Sequence, residues 1–215
     1  MLKEILSVGV PAGLQGAVFS LSNIVIQSDI NSLGEEVMAA SAAAFNLEII
    51  AYYVINAFGQ ACTTFSGQNY GAGLIHCCRK IFLITFAQGF GAMALSCGLV
   101  LLFGTPLLSL FSTDREVIDY GYIRLEYILY AEVLNLIIEM VSGFLRAFGK
   151  SLAPACIVIA GICGFRILYV ATVFQWHPDF HILMAVYPVS WLITDLGMAA
   201  VLFWYRNLYM AKDGE

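Results

Sequence analysis

The chain has 215 residues, of which 60% are apolar and 12% are charged, whereas an ordinary soluble domain carries about 25% charged residues. Together with a mean hydropathy of +0.84, this composition indicates a membrane protein whose first partner is the lipid bilayer. The formal net charge of −5 leaves no basic surface for a phosphate backbone, so nucleic acid is not an expected partner.

Six long apolar runs dominate the sequence, and a bilayer core takes about 20 mainly apolar residues per helix. Spans are predicted at about 5–29, 38–65, 80–103, 120–145, 153–174 and 182–205, separated by polar stretches rich in Gly and Pro. They fill residues 1–215 as a single transmembrane domain, which leaves no room for a soluble catalytic domain. The sequence therefore predicts an all-α membrane protein and no enzyme.

The Lys and Arg residues set the expected orientation, because loops on the cytoplasmic side carry an excess of them. With the N-terminus inside, two cations, Arg115 and Arg124, fall outside, and Arg166 lies within a span. We therefore expect a multi-pass protein of the bacterial cytoplasmic membrane with both termini in the cytoplasm. The seven inner cations are Lys3, Arg79, Lys80, Arg146, Lys150, Arg206 and Lys212.

Polar residues, among them Gln15 and Asn23, are spread around the first span. This pattern is typical of a helix that is shielded from lipid or that borders a wet cavity. The same span contains Gly9, Gly13 and Gly16, and small residues of this kind allow close packing of membrane helices.

The stretch TFSGQNYGAG at 64–73 follows the second span. It does not fit a phosphate-binding loop, because such a loop needs a strand before it and a helix after it, and GFLRAFGKS at 143–151 fails for the same reason. Glycine tolerates positive φ and ends helices, so a cytoplasmic turn is predicted here, with polar side chains that bind helix-end backbone groups. The turn residues are Gly67, Gln68, Asn69, Gly71 and Gly73.

Ionisable groups inside spans are costly, and they mark ion pathways or relays by default. Glu132 and Glu139 are seven residues apart, about 20° short of two helical turns, so they share one face of the fourth span with Asn135 between them. Glu48 in the second span and Asp195 in the sixth are further candidates, with a helix–helix hydrogen bond of the protonated acid as the alternative. These five residues are the candidate cation-coupling or substrate-path residues.

Arg166 is the basic residue inside the fifth span. Its position allows a pair with Glu132 of the antiparallel fourth span, and a buried pair of this kind can be purely structural. Arg166, Gln15 and Asn23 are therefore predicted to be either structural or part of the path. The six cysteines form no C-x-x-C pair, and no metal site or cofactor other than a coupling ion is expected.

Four stretches, in order, resemble the second half of a transporter of the multidrug and toxic compound extrusion (MATE) family of cation-coupled antiporters. GQNYGAG and LRAFGKSLAP are their most specific elements. The stretches are GVPAGLQGAVFSLSNIVIQSDINSLG (9–34), AAAFNLEIIAYYVINAFGQACTTFSGQNYGAG (42–73), GFLRAFGKSLAPACIVIAGICGFRILYV (143–170) and YPVSWLITD (187–195).

The resemblance implies one six-helix lobe of a twelve-helix transporter, in which substrate passes between two lobes related by a pseudo-twofold axis. The second lobe would lie in the same longer chain or come from dimerisation, so this chain is expected to be a fragment, a truncated product or a half-transporter. Some NorM-type members carry a Glu in the first helix of this lobe and an Asp in the fourth. Phe19 and Asn135 stand at these places here, so the carboxylates of that sodium site are absent.

These observations predict part of an H⁺- or Na⁺-coupled antiporter that exports small organic, often cationic, compounds. A carboxylate that binds a proton loses its charge and weakens its hold on a cationic substrate, which couples the two movements. Two alternatives remain: a lipid-linked oligosaccharide flippase of the same superfamily, which needs cationic grooves for pyrophosphate, and a non-transporting membrane partner subunit.

Overall fold

A computed structural model of the chain describes residues 2–210, without the side chains of residues 3–5 and 208. The described residues form six long helices and contain no strand. A short helix, Gly104–Leu108, follows the third long helix. Another, Arg206–Met210, follows the sixth and is called the terminal helix. All six long helices are long and apolar enough to cross a membrane, so the predicted all-α fold is confirmed. The first to sixth spans are Leu2–Ser32, Glu35–Gly71, Ile75–Leu102, Arg115–Ala147, Leu152–Phe174 and Phe180–Trp204.

Two of the spans begin at an aspartate that caps the helix. Asp114 accepts a hydrogen bond of 2.9 Å from the backbone N–H of Glu116 at the start of the fourth span. Asp179 accepts bonds of 2.8 and 3.3 Å from the N–H groups of His181 and Ile182 at the start of the sixth. Such caps satisfy N–H groups that have no partner inside the helix, which explains why the spans begin here.

The turn after the second span is shorter than the glycines predict. The helix continues to Gly71 instead of ending near residue 65, so Gly67 is helical and allows close packing, since a Cβ there would lie 4.0 Å from Ala147. Of the three turn glycines, Gly73 is the one with positive φ, at 77°. The second span therefore ends about six residues later than predicted.

Backbone bonds close this turn in a standard helix-ending pattern. The N–H of Leu74 donates to the carbonyl of Asn69 at 2.9 Å, and the N–H of Gly73 donates to that of Tyr70 at 3.0 Å. The Asn69 side chain donates to the Phe65 carbonyl at 2.9 Å, whereas Gln68 contributes its backbone carbonyl.

The turn after the fourth span has the same geometry. Gly149 has a φ of 71°, and the N–H of Lys150 donates to the carbonyl of Leu145 at 2.9 Å. The rings of Tyr70 and Phe148 lie 4.8 Å apart and join the two turns. Because consecutive spans run antiparallel, both turns lie at the end of the lobe where the first span begins and the sixth span ends.

The second and fourth spans pack against each other along most of their length. At their closest approach, the hydroxyl of Thr63 lies 2.9 Å from the carbonyl oxygen of Gly59 and 3.0 Å from that of Gly143. A Cβ at Gly143 would lie only 2.6 Å from the Gly59 carbonyl oxygen. A side chain larger than hydrogen at Gly143 would therefore push the two helices apart.

The fifth span contains two π-helical segments, Ile159–Gly164 and Val170–Phe174. Between them lies one α-helical turn, Phe165–Tyr169, which carries the buried Arg166. A Cβ at Gly161 would meet the hydroxyl of Thr194, so the fifth and sixth spans are in close contact here. Segments of this kind occur often at functional sites.

Candidate functional site

A polar groove runs along one side of the lobe between the first, second and fourth spans. It consists of two adjoining cavities with volumes of about 420 and 280 Å³. The larger is called the Glu139 cavity and the smaller the Glu132 cavity, after one acid in each. They meet at four residues that line both: Phe19, Ser20, Tyr52 and Asn135.

The Glu139 cavity is lined by polar side chains from three spans. Gln15 comes from the first span, Asn56 and Gln60 from the second, and Glu139 and Arg146 from the fourth. The guanidinium of Arg146 lies 3.6 Å from the Glu139 carboxylate. This carboxylate therefore faces the cavity with its own counter-ion.

The Glu132 cavity holds an acid without such a counter-ion. Glu132 is 3% exposed, and its carboxylate accepts a hydrogen bond of 2.9 Å from the side-chain amide of Asn135. Within the described residues, no Lys or Arg nitrogen lies within ion-pair distance of Glu132. Its spacing from Asn135 and Glu139 puts all three along one groove, in line with their predicted common face.

A second buried acid of the Glu132 cavity, Glu48, is held by an arginine. Arg124 donates from Nη2 to Glu48 Oε1 at 2.6 Å and from Nε to Oε2 at 3.1 Å. This two-bonded geometry is the strongest form of a carboxylate–arginine pair.

The pair corrects the placement of Arg124 in an outer loop, because Arg124 lies inside the fourth span and is 4% exposed. The tally of cations by side becomes seven against one, which leaves the expected orientation unchanged. Lys212, one of the seven, lies outside the described residues.

Arg166 does not pair with Glu132, so that expectation is wrong. Its Nε donates to the Ser190 hydroxyl and its Nη1 to the side-chain carbonyl of Asn23, both at 3.0 Å. The guanidinium also lies 4.6 Å from the ring centroid of Tyr187. The helical turn between the two π-helical segments directs Arg166 towards the first and sixth spans, where it links three spans.

The remaining predicted residues lie away from the groove. Asp195 is 9% exposed, lines neither cavity, and accepts no hydrogen bond from the residues that the structure describes. The turn from Gly67 to Gly73 also lines neither cavity. The groove thus brings together Gln15, Asn23, Glu48, Glu132, Asn135 and Glu139.

The second span carries groove residues that the sequence analysis missed. Tyr52, Asn56 and Gln60 follow Glu48 at steps of four residues, and side chains four apart share one face of a helix. This spacing was a signal that could have found them. Arg124 and Arg146 were missed as groove residues because both were counted as loop cations.

Six antiparallel apolar helices with a charged groove along one side define a multi-pass membrane protein. The family model MatE matches residues 11–172, and the chain belongs to this family. Members of the family are transporters and not enzymes.

Two curated relatives are multidrug resistance proteins. The probable multidrug resistance protein YoeA of Bacillus subtilis is 25% identical over 167 residues, which cover 78% of this chain and 36% of YoeA. The multidrug resistance protein PmpM of Pseudomonas aeruginosa is 33% identical over 116 residues, which cover 53% of this chain and 24% of PmpM. The chain thus spans about a third or less of the length of these relatives.

Among solved structures, a crystal structure of MATE in complex with MaL6 matches with a TM-score of 0.85 at 17% identity. The match covers 98% of this chain and 48% of that chain. At this identity the likeness shows the fold alone, and that fold is about half of the matched structure.

Proposed function

We propose that this chain is one lobe of an antiporter in the bacterial cytoplasmic membrane that exports small organic cations in exchange for protons, with both termini in the cytoplasm. The multidrug resistance proteins among its relatives favour export of organic compounds over the flippase alternative. The chain covers 48% of a matched MATE structure, so we expect a second six-helix lobe to complete the path. That lobe lies in the same longer chain or comes from dimerisation.

The observation that carries this proposal is the charge balance of the groove. Of its three acids, Glu48 faces Arg124 and Glu139 faces Arg146, whereas Glu132 accepts a bond only from a neutral amide. Neutralising Glu48 leaves the buried Arg124 without its counter-ion, which is strongly unfavourable. Neutralising Glu139 leaves the partly buried Arg146 without its nearest carboxylate. Glu132 is the acid whose charge can change without that penalty, so we assign the coupling role to it.

The ligands around Glu132 favour a proton over a divalent metal cation. Hard cations such as Ca²⁺ and Mg²⁺ are held by about six or more oxygen ligands. The hydrogen-bonded cluster at Glu132 supplies one carboxylate and the amide of Asn135. A proton needs a single carboxylate, and this cluster provides it.

The lining of the Glu132 cavity suits an organic cation. Besides Glu132, it presents the aromatic side chains of Phe45, Tyr52 and Trp191. Aromatic faces attract cations, and an ionised carboxylate adds to that attraction. Protonation of Glu132 then weakens the binding of the substrate, which releases it on the side where the proton enters.

The test is ethidium efflux from everted vesicles that hold the chain together with its companion lobe. We expect Glu132→Gln to abolish efflux driven by a pH gradient. Glu126→Gln is the matched control, because Glu126 lies in the same span and lines neither cavity, and it should retain efflux.

Two results would contradict the proposal. The first is unchanged pH-driven efflux in Glu132→Gln at equal protein levels. The second is efflux driven by a sodium gradient at equal pH on the two sides, which would replace the proton by Na⁺.

A further inference from the structure

One end of the lobe carries a group of exposed cations. Arg79 and Lys80 lie in the first two turns of the third span, Lys150 lies in the turn after the fourth, and Arg206 lies in the terminal helix. All four side chains are exposed. At this end the described stretches 65–85, 140–155 and 200–210 contain no Asp or Glu, whereas the start of the first span contributes Lys3 and Glu4, whose side chains lie outside the described residues. We call this end of the lobe the basic end.

The terminal helix brings these cations together. Tyr209 packs against Phe144 of the fourth span, with ring centroids 5.4 Å apart, and its hydroxyl donates to the carbonyl of Leu202 at 2.9 Å. Burial raises the pKa of Tyr209, and the positive charges of Arg79 and Arg206 oppose this rise, so both act on its phenol.

Lys150 joins the same group. Its ammonium lies 5.9 Å from the ring centroid of Tyr205, the residue before the terminal helix. Cations from the start of the third span, the turn after the fourth and the terminal helix therefore lie near Tyr205 or Tyr209.

Exposed aromatic residues place the basic end at the depth of lipid headgroups. Phe203 is 65% exposed and Trp204 is 81% exposed, and both end the sixth span beside Arg206. The guanidinium of Arg206 lies 4.1 Å from the ring centroid of Phe203. Tryptophan is enriched at the membrane–water interface, where phosphate groups lie.

We propose that Arg79, Lys150 and Arg206 hold the phosphate of an anionic phospholipid, with Lys80 adding to the local positive charge. Guanidinium groups bind phosphate oxygens in pairs, and basic pockets between membrane helices bind anionic headgroups. The acyl chains lie along the third span, whose Leu83 and Ile84 are 61% and 46% exposed. This site is separate from the groove and does not depend on the transported substrate.

The experiment measures which lipids remain with the purified chain. The chain in detergent is incubated with equal amounts of phosphatidylglycerol and phosphatidylcholine, washed, and analysed by mass spectrometry for bound lipid. We expect about a tenfold enrichment of phosphatidylglycerol. Equal retention of the two lipids would overturn the proposal.

Substitutions localise the site. The triple variant Arg79→Gln, Lys150→Gln and Arg206→Gln should lose the enrichment, and Arg206→Gln alone should reduce it. Arg115→Gln is the matched control, an exposed arginine at the other end of the lobe, and it should keep the enrichment. The proposed site would be wrong if the triple variant kept the full enrichment of phosphatidylglycerol. It would also be wrong if Arg206→Gln and Arg115→Gln reduced that enrichment equally.

Two further arms use the unsubstituted chain and therefore do not depend on the folding of a variant. Salt screens exposed charges, so the enrichment should fall as ionic strength rises. An enrichment that salt leaves unchanged would contradict a headgroup site.

In the second arm, inorganic phosphate is added at a constant ionic strength. Phosphatidylglycerol should stay bound, whereas its displacement would identify a site for free phosphate instead.

Discussion

The fourth and first spans form opposite walls of the groove and differ sharply in burial. In the most apolar stretch of each, 72% of the residues of the fourth span are buried inside the lobe, against 11% for the first. The fourth span is tied to the second by a buried ion pair and a glycine contact. The groove therefore has one firmly fixed wall and one wall that is held at a few points.

Those few points connect the first span mainly to the fifth. Arg166 donates to Asn23 at 3.0 Å, and Cys163 donates from Sγ to the carbonyl of Val18 at 3.1 Å. Substitutions in the fourth span should therefore destabilise the lobe more than substitutions in the first.

The largest loss is expected from Arg124→Met in the fourth span. This change leaves the Glu48 carboxylate buried without a counter-ion, which costs about 3–5 kcal/mol. The free energy of unfolding of the purified chain in detergent measures the loss. The double variant Arg124→Met, Glu48→Met should recover most of it, and a single variant as stable as the parent would show that the pair does not fix this wall.

A smaller loss, about 3 kcal/mol, is expected from Gly143→Ala, because the new Cβ would clash with the Gly59 carbonyl oxygen. Gly91→Ala in the third span is the matched control, since nothing lies within 4 Å of a Cβ there. Thermal unfolding of the two variants side by side gives the comparison. Equal midpoints would mean that the second and fourth spans can separate without cost.

On the first span, Asn23→Ala should cost about 2 kcal/mol, because it removes the acceptor of a hydrogen bond from a charged guanidinium. Asn31→Ala is the control, since Asn31 is exposed and accepts a bond from Gln27 on the same helix. Unfolding free energies of both variants test the difference. A loss as large as that of Arg124→Met would contradict the contrast between the walls.

The smallest effect is expected from Gly13→Ala. The predicted close packing at Gly9, Gly13 and Gly16 does not occur against the described residues, because nothing lies within 4 Å of a Cβ at any of the three. The change should leave stability unchanged or raise it by up to about 1 kcal/mol, since alanine favours helix over glycine. A clear drop in the unfolding midpoint would show that Gly13 packs closely against another residue, which contradicts the open space around it.

The sequence predicts the spans well because each apolar run must be long enough to cross a bilayer. The face shared by Glu132, Asn135 and Glu139 also follows from helical spacing alone. The partners of these residues do not, because Glu48 and Arg124 are 76 residues apart in the chain and meet only when two spans pack. The orientation of Arg166 depends on π-helical segments that leave no clear mark in the sequence.

The ring contact between the two turns has a mechanical consequence. Tyr70 and Phe148 join the second and fourth spans at one end, Thr63 and Gly143 join them further along, and Glu48 and Arg124 join them towards the other end. From residue 48 to residue 70 the second span rises about 33 Å, roughly the thickness of a bilayer core. Braced at three levels across this thickness, the two helices form a single lever that can tilt as a whole but cannot bend open along its seam.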